Sequence, residues 1–304
     1  MSKQKMPSPK LKLNLYQELL GLEDALFSLI EHEDAIVAIV YEVTMPNGKK
    51  FILKICEQNR HFLREVYFLN ALKDQIPVPK IIQTIEPNAE RYGAILMEYL
   101  PGQVLSEETL TCELAEEAGY ELARLHLNSA QGYGDLIIKE SLSRDPKADL
   151  LQRFDEGIQE CEPHLPSSLL NHCRHFFHTH LHLFELVDGP CLIHRDFRPG
   201  NLLADKNKLL GIIDWASARA GFAQEDFCSL EMGEWSTQTT IQAAFLSGYE
   251  TIRPIPNFQE MMPLLKLSRS AAILGYLYKT GIYNTSCAKL HQSHLHFLET
   301  FIEV

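Results

Sequence analysis

The chain has 304 residues, 45% apolar and 22% charged, an ordinary globular composition that argues against disorder. Its 28 Lys and Arg against 40 Asp and Glu give a formal net charge of −12, which excludes the basic balance of a general nucleic-acid binder. No apolar run approaches the roughly 18 residues of a membrane span, no apolar block follows the N-terminal lysines as in a secretory signal, and seven cysteines without a Cys-x-x-Cys pair read as reduced thiols of a cytoplasmic protein.

Residues 1–12, rich in Lys, Pro and Ser, read as a loose flexible tail. Residues 24–30 suit either a strand or a short helix. The β-branched run 35–43 predicts a strand, Pro46-Asn47-Gly48 a turn, and 50–56 the partner strand of a hairpin. Phe62, Leu63, Val66, Leu69 and Leu72 fall at helical spacing over 60–73, and Pro77 and Pro79 end that helix. Residues 80–86 and 93–99 read as two more strands. After Pro101-Gly102 the pattern changes. Ser106 is placed to cap a helix running to His126, 147–186 reads as mostly helical, and 191–193 and 209–213 as short strands. From about 239 to 303 the chain returns to helix. The expected organisation is α+β: a small antiparallel-sheet lobe over 13–100, then a larger, mostly helical lobe over 101–304. Charge follows the same division. Residues 1–100 hold 13 acids and 12 bases, whereas 101–304 hold 27 and 16, so the second lobe favours cations over anions.

The stretch that carries chemistry is His194-Arg195-Asp196-Phe197-Arg198-Pro199-Gly200-Asn201, with Asp214 thirteen residues beyond Asn201 at the end of an apolar strand. Phosphoryl transfer needs a carboxylate to hold the attacking hydroxyl and oxygen ligands for a divalent metal. Asp196 suits the first task, and Asn201 and Asp214 suit Mg²⁺, which prefers hard oxygen donors.

HRDFRPGN and IIDW resemble the aminoglycoside phosphotransferase/choline kinase-like family, a branch of the protein-kinase-like fold. The resemblance implies a bilobal architecture in which Lys54 of FILKI meets the nucleotide phosphates and Glu65 of REVYFL orients that lysine. It further implies that MEYLPG is the hinge, with Met97, Glu98 and Leu100 at the adenine, that ELARLH at 121–126 is the family's recurrent helix, and that Asp226 supports the catalytic loop. His194 would shape that loop by hydrogen bonding, and Arg198 would reach the phosphate or pair with an acid. Together these motifs span about residues 35–230 in the family's order. The activity implied is Mg²⁺-dependent transfer of a phosphoryl group from ATP or GTP to a hydroxyl of a small-molecule acceptor. No nucleic-acid or membrane partner is implied. Relatives phosphorylate antibiotics, choline, sugars, fructosamines and homoserine. The acidic second lobe, with Asp149, Asp155, Glu156, Glu160 and Glu162 in the helical insert at 130–190, points to a cationic acceptor of aminoglycoside or amino-alcohol type.

Three features stand apart from that pattern. The stretch over the phosphates, 31–38 (EHEDAIVA), has no glycine or serine and carries three acids, whereas glycine-rich turns normally cradle phosphate with backbone amides. This supports an alternative function, a degenerate kinase that binds a ligand or partner without transfer. Lys54, with apolar neighbours at 51, 53 and 55, alternatively reads as a solvent-facing strand lysine. Histidines 172, 175, 178, 180 and 182 crowd one helix, but without HExxH or cysteine partners they read as surface residues before they read as a zinc site.

Overall fold

In the computed structural model, which describes residues 12–30, 38–138, 140, 142–233, 235, 238–285 and 287–301, the first element is one that the sequence reading assigned to nothing. Helix α1 (Leu13–Leu20) places Leu13, Tyr16 and Leu20 at i, i+3, i+7, and Gly21 closes it at φ +65°. The ambiguous segment that follows is strand β1 (Leu26–Leu29). Strands β2 (Ala38–Thr44) and β3 (Lys50–Cys56) form the expected hairpin. In its turn Gly48 sits at φ +83° with its N–H on the Met45 carbonyl at 2.9 Å, and Lys49 N–H donates to Asn47 Oδ1 at 3.0 Å. Helix α2 (Asn59–Leu72) follows, then β4 (Ile81–Ile85) and β5 (Gly93–Glu98). The five strands make one antiparallel sheet in the order β1-β2-β3-β5-β4.

The two faces of this sheet have different coverings. Tyr16 and Leu20 of α1 pack with Val43, Leu53, Ile55 and Leu96 in one buried cluster. Alternation along β3 therefore turns Lys54, between Leu53 and Ile55, to the other face. It meets a residue of α2 there.

Beyond β5, the short β6 (Gln103–Val104) precedes helices α3 (Cys112–His126), α4 (Pro146–Cys161) and α5 (Ser167–Thr179), and then β7 (Cys191–Ile193). Strands β8 (Leu202–Asp205) and β9 (Lys208–Ile212) join β6 in a three-stranded sheet, and β10 (Arg219–Gly221) pairs antiparallel with β7. Helices α6 (Gln224–Glu231), α7 (Thr239–Glu250), α8 (Met262–Thr280) and α9 (Ala288–Thr300) complete the described elements. Two compact units result. The first holds the described residues up to Val104 together with Leu202–Ala218, and the second holds Leu105–Asn201 and the described residues from Arg219 onward. No described helix is long and apolar enough to cross a membrane.

The helix expected from Ser106 starts six residues later. Ser106 is used in a turn, its N–H bonded to Thr109 Oγ1 at 2.9 Å, and Thr111 caps α3 by accepting from Leu114 N–H at 3.3 Å. α3 then crosses α7 at backbone contact. A Cβ at Gly119 would lie 1.9 Å from the Phe245 carbonyl oxygen, and one at Gly248 would lie 1.9 Å from that of Glu116. Alanine at a helical position gains about 1 kcal/mol in propensity over glycine, but here the helices must separate to admit it. Gly248→Ala is expected to destabilise the protein by about 1–3 kcal/mol, measured as a lower thermal midpoint; an unchanged or raised midpoint would show that the crossing is loose.

Candidate active site

In the first unit Lys54 is 7% exposed, so it is not a solvent-facing strand residue. Its Nζ donates to Glu65 Oε2 at 3.0 Å and to Asp214 Oδ1 at 2.9 Å. Burial alone would favour the neutral amine, yet the charges of Asp214 and Glu65 outweigh it and raise the pKa above its ordinary value. Each partner is delivered by a different element. Glu65, buried, comes from the second turn of α2. Asp214 follows β9 and sits in the left-handed region at φ +63°, its side chain 36% exposed. Trp215 behind it is fully buried, stacks on Phe68 of α2 with ring centres 5.7 Å apart, and donates from Nε1 to the Ile212 carbonyl at 3.0 Å. Arg64 Nη1 adds a bond to the Ala216 carbonyl at 3.1 Å. The segment bearing Asp214 is thus pinned to α2 at Trp215 and Ala216. At the end of β5, Met97 is buried. Glu98 exchanges two bonds with Lys80, its N–H donating to the Lys80 carbonyl and its Oε1 accepting from the Lys80 N–H, both at 2.9 Å. The Leu100 carbonyl accepts from Gly102 N–H at 2.8 Å as the chain leaves the sheet.

In the second unit the loop after β7 is tied to one buried carboxylate. Asp226 of α6 accepts from the backbone N–H of His194 at 2.8 Å and of Arg195, and from His126 Nε2 at 3.0 Å. His126 Nδ1 meets the Tyr249 hydroxyl at 2.9 Å. Burial raises the pKa of Asp226, but the His126 hydrogen bond and charge, with His194, hold it below its ordinary value. These bonds keep Arg195 at φ +67°, a conformation costly for a residue with a Cβ. The turn this makes presents Asp196. Its carboxylate receives Asn201 Nδ2 at 2.9 Å and Arg269 Nη2 at 3.0 Å, and Arg198 Nε lies 3.5 Å away. Asn201 Nδ2 also donates to the Asp196 carbonyl at 2.8 Å, which aims the Asn201 amide oxygen, the atom a hard cation would use, away from Asp196. His194 is fully buried, and its Nδ1 lies 3.3 Å from Asp196 N–H.

The phosphotransferase enzyme family model matches residues 32–264. The chain belongs to that family. Solved structures share the protein-kinase-like fold over nearly their whole length. A microcompartment-associated aminopropanol kinase superposes at TM-score 0.67 with 20% identity, over 96% of this chain and 98% of that one. Amicoumacin kinase bound to AMP-PNP, Ca²⁺ and amicoumacin gives 0.65 with 16% identity, over 95% and 93%. The gentamicin complex of APH(2″)-IIa gives 0.64 with 17% identity, over 94% and 96%. None of the curated proteins matches the chain.

Within this kinase-like frame the structure gathers Lys54, Glu65 and Asp214 in the first unit and Asp196, Asn201, Arg198, His194 and Asp226 in the second. The glycine-free stretch 31–38 lies outside the described residues except for Ala38. Four participants went unread in the sequence: Arg269, which holds Asp196; His126 and Tyr249, which extend the Asp226 network; and Arg153, which bonds Asp149 at 2.9 Å and Glu225 at 2.6 Å. Of these, only His126 left a trace, as the last residue of ELARLH. Two of the crowded histidines serve the end of α5: His180 Nδ1 lies 2.8 Å from the Phe176 carbonyl, with its ring stacked on Phe176, and His182 Nδ1 lies 3.3 Å from the Thr179 carbonyl.

A depressed carboxylate stabilises the fold above its unfolded pKa and loses that contribution as pH falls through the folded one. Asp226→Asn is therefore expected to cost about 2–4 kcal/mol at pH 7. The gap to the wild type should narrow as pH drops below 3.8, the ordinary value for the group. Urea unfolding of both proteins at pH 7 and pH 3 measures this, and a gap independent of pH would place the stabilisation elsewhere.

Proposed function

We propose that this chain transfers the γ-phosphoryl group of ATP or GTP to a hydroxyl of a small-molecule acceptor, with Mg²⁺ as the divalent ion. The observation that carries the reading is the buried Lys54 ammonium held between Glu65 and Asp214 at 3.0 and 2.9 Å. A fixed cation beside a half-exposed carboxylate suits a nucleotide triphosphate and its metal, and the AMP-PNP and Ca²⁺ of the amicoumacin kinase complex fit the same expectation. Met97, Glu98 and Leu100 would line the base. Asp214 and the Asn201 amide oxygen are each a hard oxygen donor of the kind that magnesium takes, and the ion when bound would neutralise charge on the phosphate oxygens.

Asp196 orients the acceptor. Its carboxylate accepts the hydroxyl proton as the acceptor oxygen bonds to the γ-phosphorus and the bond from that phosphorus to the nucleoside diphosphate breaks. Asn201 and Arg269 hold the carboxylate in place, Asp226 and His194 hold the backbone beneath it, and Arg198 stands ready for the transferred phosphate. The seven free thiols support a reducing, cytoplasmic location.

The expectation of a cationic acceptor has the −11 of residues 101–304 in its favour, together with the amine-bearing ligands that the neighbours' names carry. The five acids of the helical insert do not make a cation pocket by themselves. Asp149 pairs with Arg153 and Arg219, Glu160 with Lys279, and Glu162 with Arg174, while Asp155 and Glu156 are exposed.

Asp196→Asn should keep nucleotide binding and lower turnover by about 10²–10⁴. Asp214→Asn should weaken Mg²⁺-nucleotide binding as well. Nucleotide turnover with an acceptor panel, alongside calorimetric nucleotide titration, reads both, and near-normal turnover in Asp196→Asn would remove that residue from the chemistry. Lys54 and Glu65 should act as one unit. Adding Glu65→Ala to Lys54→Ala should cost little beyond the single defect, whereas a double defect equal to the product of the singles would separate them.

A further inference from the structure

Between α4, the catalytic loop, α6 and α8 the second unit forms a recess of about 310 Å³, part of it open to solvent. Leu150 and Leu265 supply apolar wall. Among the described charged side chains that line it, three are arginines, Arg153, Arg195 and Arg269, and one is an acid, Glu225. That acid is already engaged: Arg153 Nη2 donates to its Oε2 at 2.6 Å, and Arg195 Nε stands 3.6 Å from the same oxygen. Behind this wall a fourth arginine, Arg219, shares Asp149 with Arg153. Arg269 links the recess to the reacting centre, with Nη2 on Asp196 Oδ1 at 3.0 Å and Nη1 on the Arg195 carbonyl at 2.8 Å.

Arg195 shows the resulting imbalance. Burial and the adjacent charges of Arg153 and Arg219 push its pKa well below the ordinary value, and Glu225 and Asp149 do not offset them. A guanidinium keeps its proton at neutral pH all the same. The recess therefore concentrates positive charge within an acidic protein, in forked donors whose geometry matches carboxylate and phosphate oxygens.

We propose that this recess binds the phosphoryl acceptor through an oxyanion, so that the acceptor is a hydroxy acid or a phosphorylated alcohol, whether or not it also carries an amine. The proposal rests on the phosphotransfer reading for the identity of the bound molecule as acceptor. Because one guanidinium, that of Arg269, lines the recess and touches Asp196, an oxyanion held there lies within the length of a small molecule from the carboxylate that receives the hydroxyl.

The test titrates the full chain, with ADP and Mg²⁺ present to occupy the nucleotide site, against glycerate, glycerol 3-phosphate and inorganic phosphate as anions, glycerol as the neutral probe and 1-amino-2-propanol as the cation. At least one hydroxyl-bearing anion is expected to bind about ten-fold or more tightly than glycerol and 1-amino-2-propanol. The contrast between glycerate and glycerol 3-phosphate tells carboxylate from phosphate ester. Arg195→Gln should bring that preference to within about two-fold, and Arg195→Lys should retain more of it. Arg153→Gln is the second variant if Arg195→Gln does not fold. The proposal is overturned if the wild type binds none of the three anions more tightly than the neutral and cationic probes, or if the preference persists in a folded Arg195→Gln or Arg153→Gln protein. Mg²⁺-ATP binding by the same preparations, and its loss in Asp214→Asn, tests the phosphotransfer reading separately. An anion preference without nucleotide binding would sink that reading and leave the oxyanion recess standing; nucleotide binding without the preference would do the reverse.

Discussion

A single buried carboxylate, that of Asp226, fixes the backbone from which Asp196 projects in the second unit. It takes the N–H groups of His194 and Arg195 on one side and His126 on the other. An ionised carboxylate with no solvent is tolerable only when donors surround it, and here two of those donors belong to the loop 194–201 itself. Desolvation is thereby converted into loop geometry. The left-handed Arg195 is the local strain that the anchor sustains, and the turn it forms sets the direction of Asp196. Ser229 and Trp235 secure the next residue, each donating to the Phe197 carbonyl, at 2.7 and 3.1 Å.

The first unit solves a parallel problem with the opposite charge. A lysine on the inner strand β3 is buried, and two carboxylates from separate elements keep it charged. Both anchors depend on packing at some distance from the charges. α1 seals the far face of the sheet so that Lys54 projects toward α2, and Trp215 against Phe68 sets where Asp214 stands. In the first unit the ionic group is thus positioned by apolar contacts.

That division explains what could be read in the sequence. The β2–β3 hairpin announced itself by β-branched residues around Pro46-Asn47-Gly48, and helix α2 by its apolar spacing. The loop 194–201 stood out because its residue types at that interval have few purely structural reasons to co-occur. Asp226 was legible only through family resemblance, since nothing in its neighbours shows that it is buried. Helix α1 carries Leu13, Tyr16, Leu20 and the closing Gly21, but its eight residues make barely two turns, too few for a clear helical period beside the lysine-rich tail. Strands β6 and β10 have two and three residues and are defined by partners far away in the chain. The Arg269–Asp196 bond joins residues 73 apart. In sequence Arg269 is one basic residue in a mostly apolar helix, indistinguishable from a solvated one. The charge around Arg195 is harder still to foresee. The second lobe is acidic in total, and only tertiary placement gathers arginines at one point within it.

The first unit is built from two separated stretches of chain, the second of which ends at Ala218. Synthesis runs from the N-terminus, and domains generally fold as they emerge. On the ribosome, then, the five-stranded sheet and α2 exist for some time without Asp214 or Trp215. During that interval Lys54 has one carboxylate partner instead of two, and the ring of Phe68 lacks the indole that stacks on it. The nascent sheet is thus held in an uncompleted condition while Leu105–Asn201 is made. Lys54 acquires its final setting only after the loop 194–201 has already been translated.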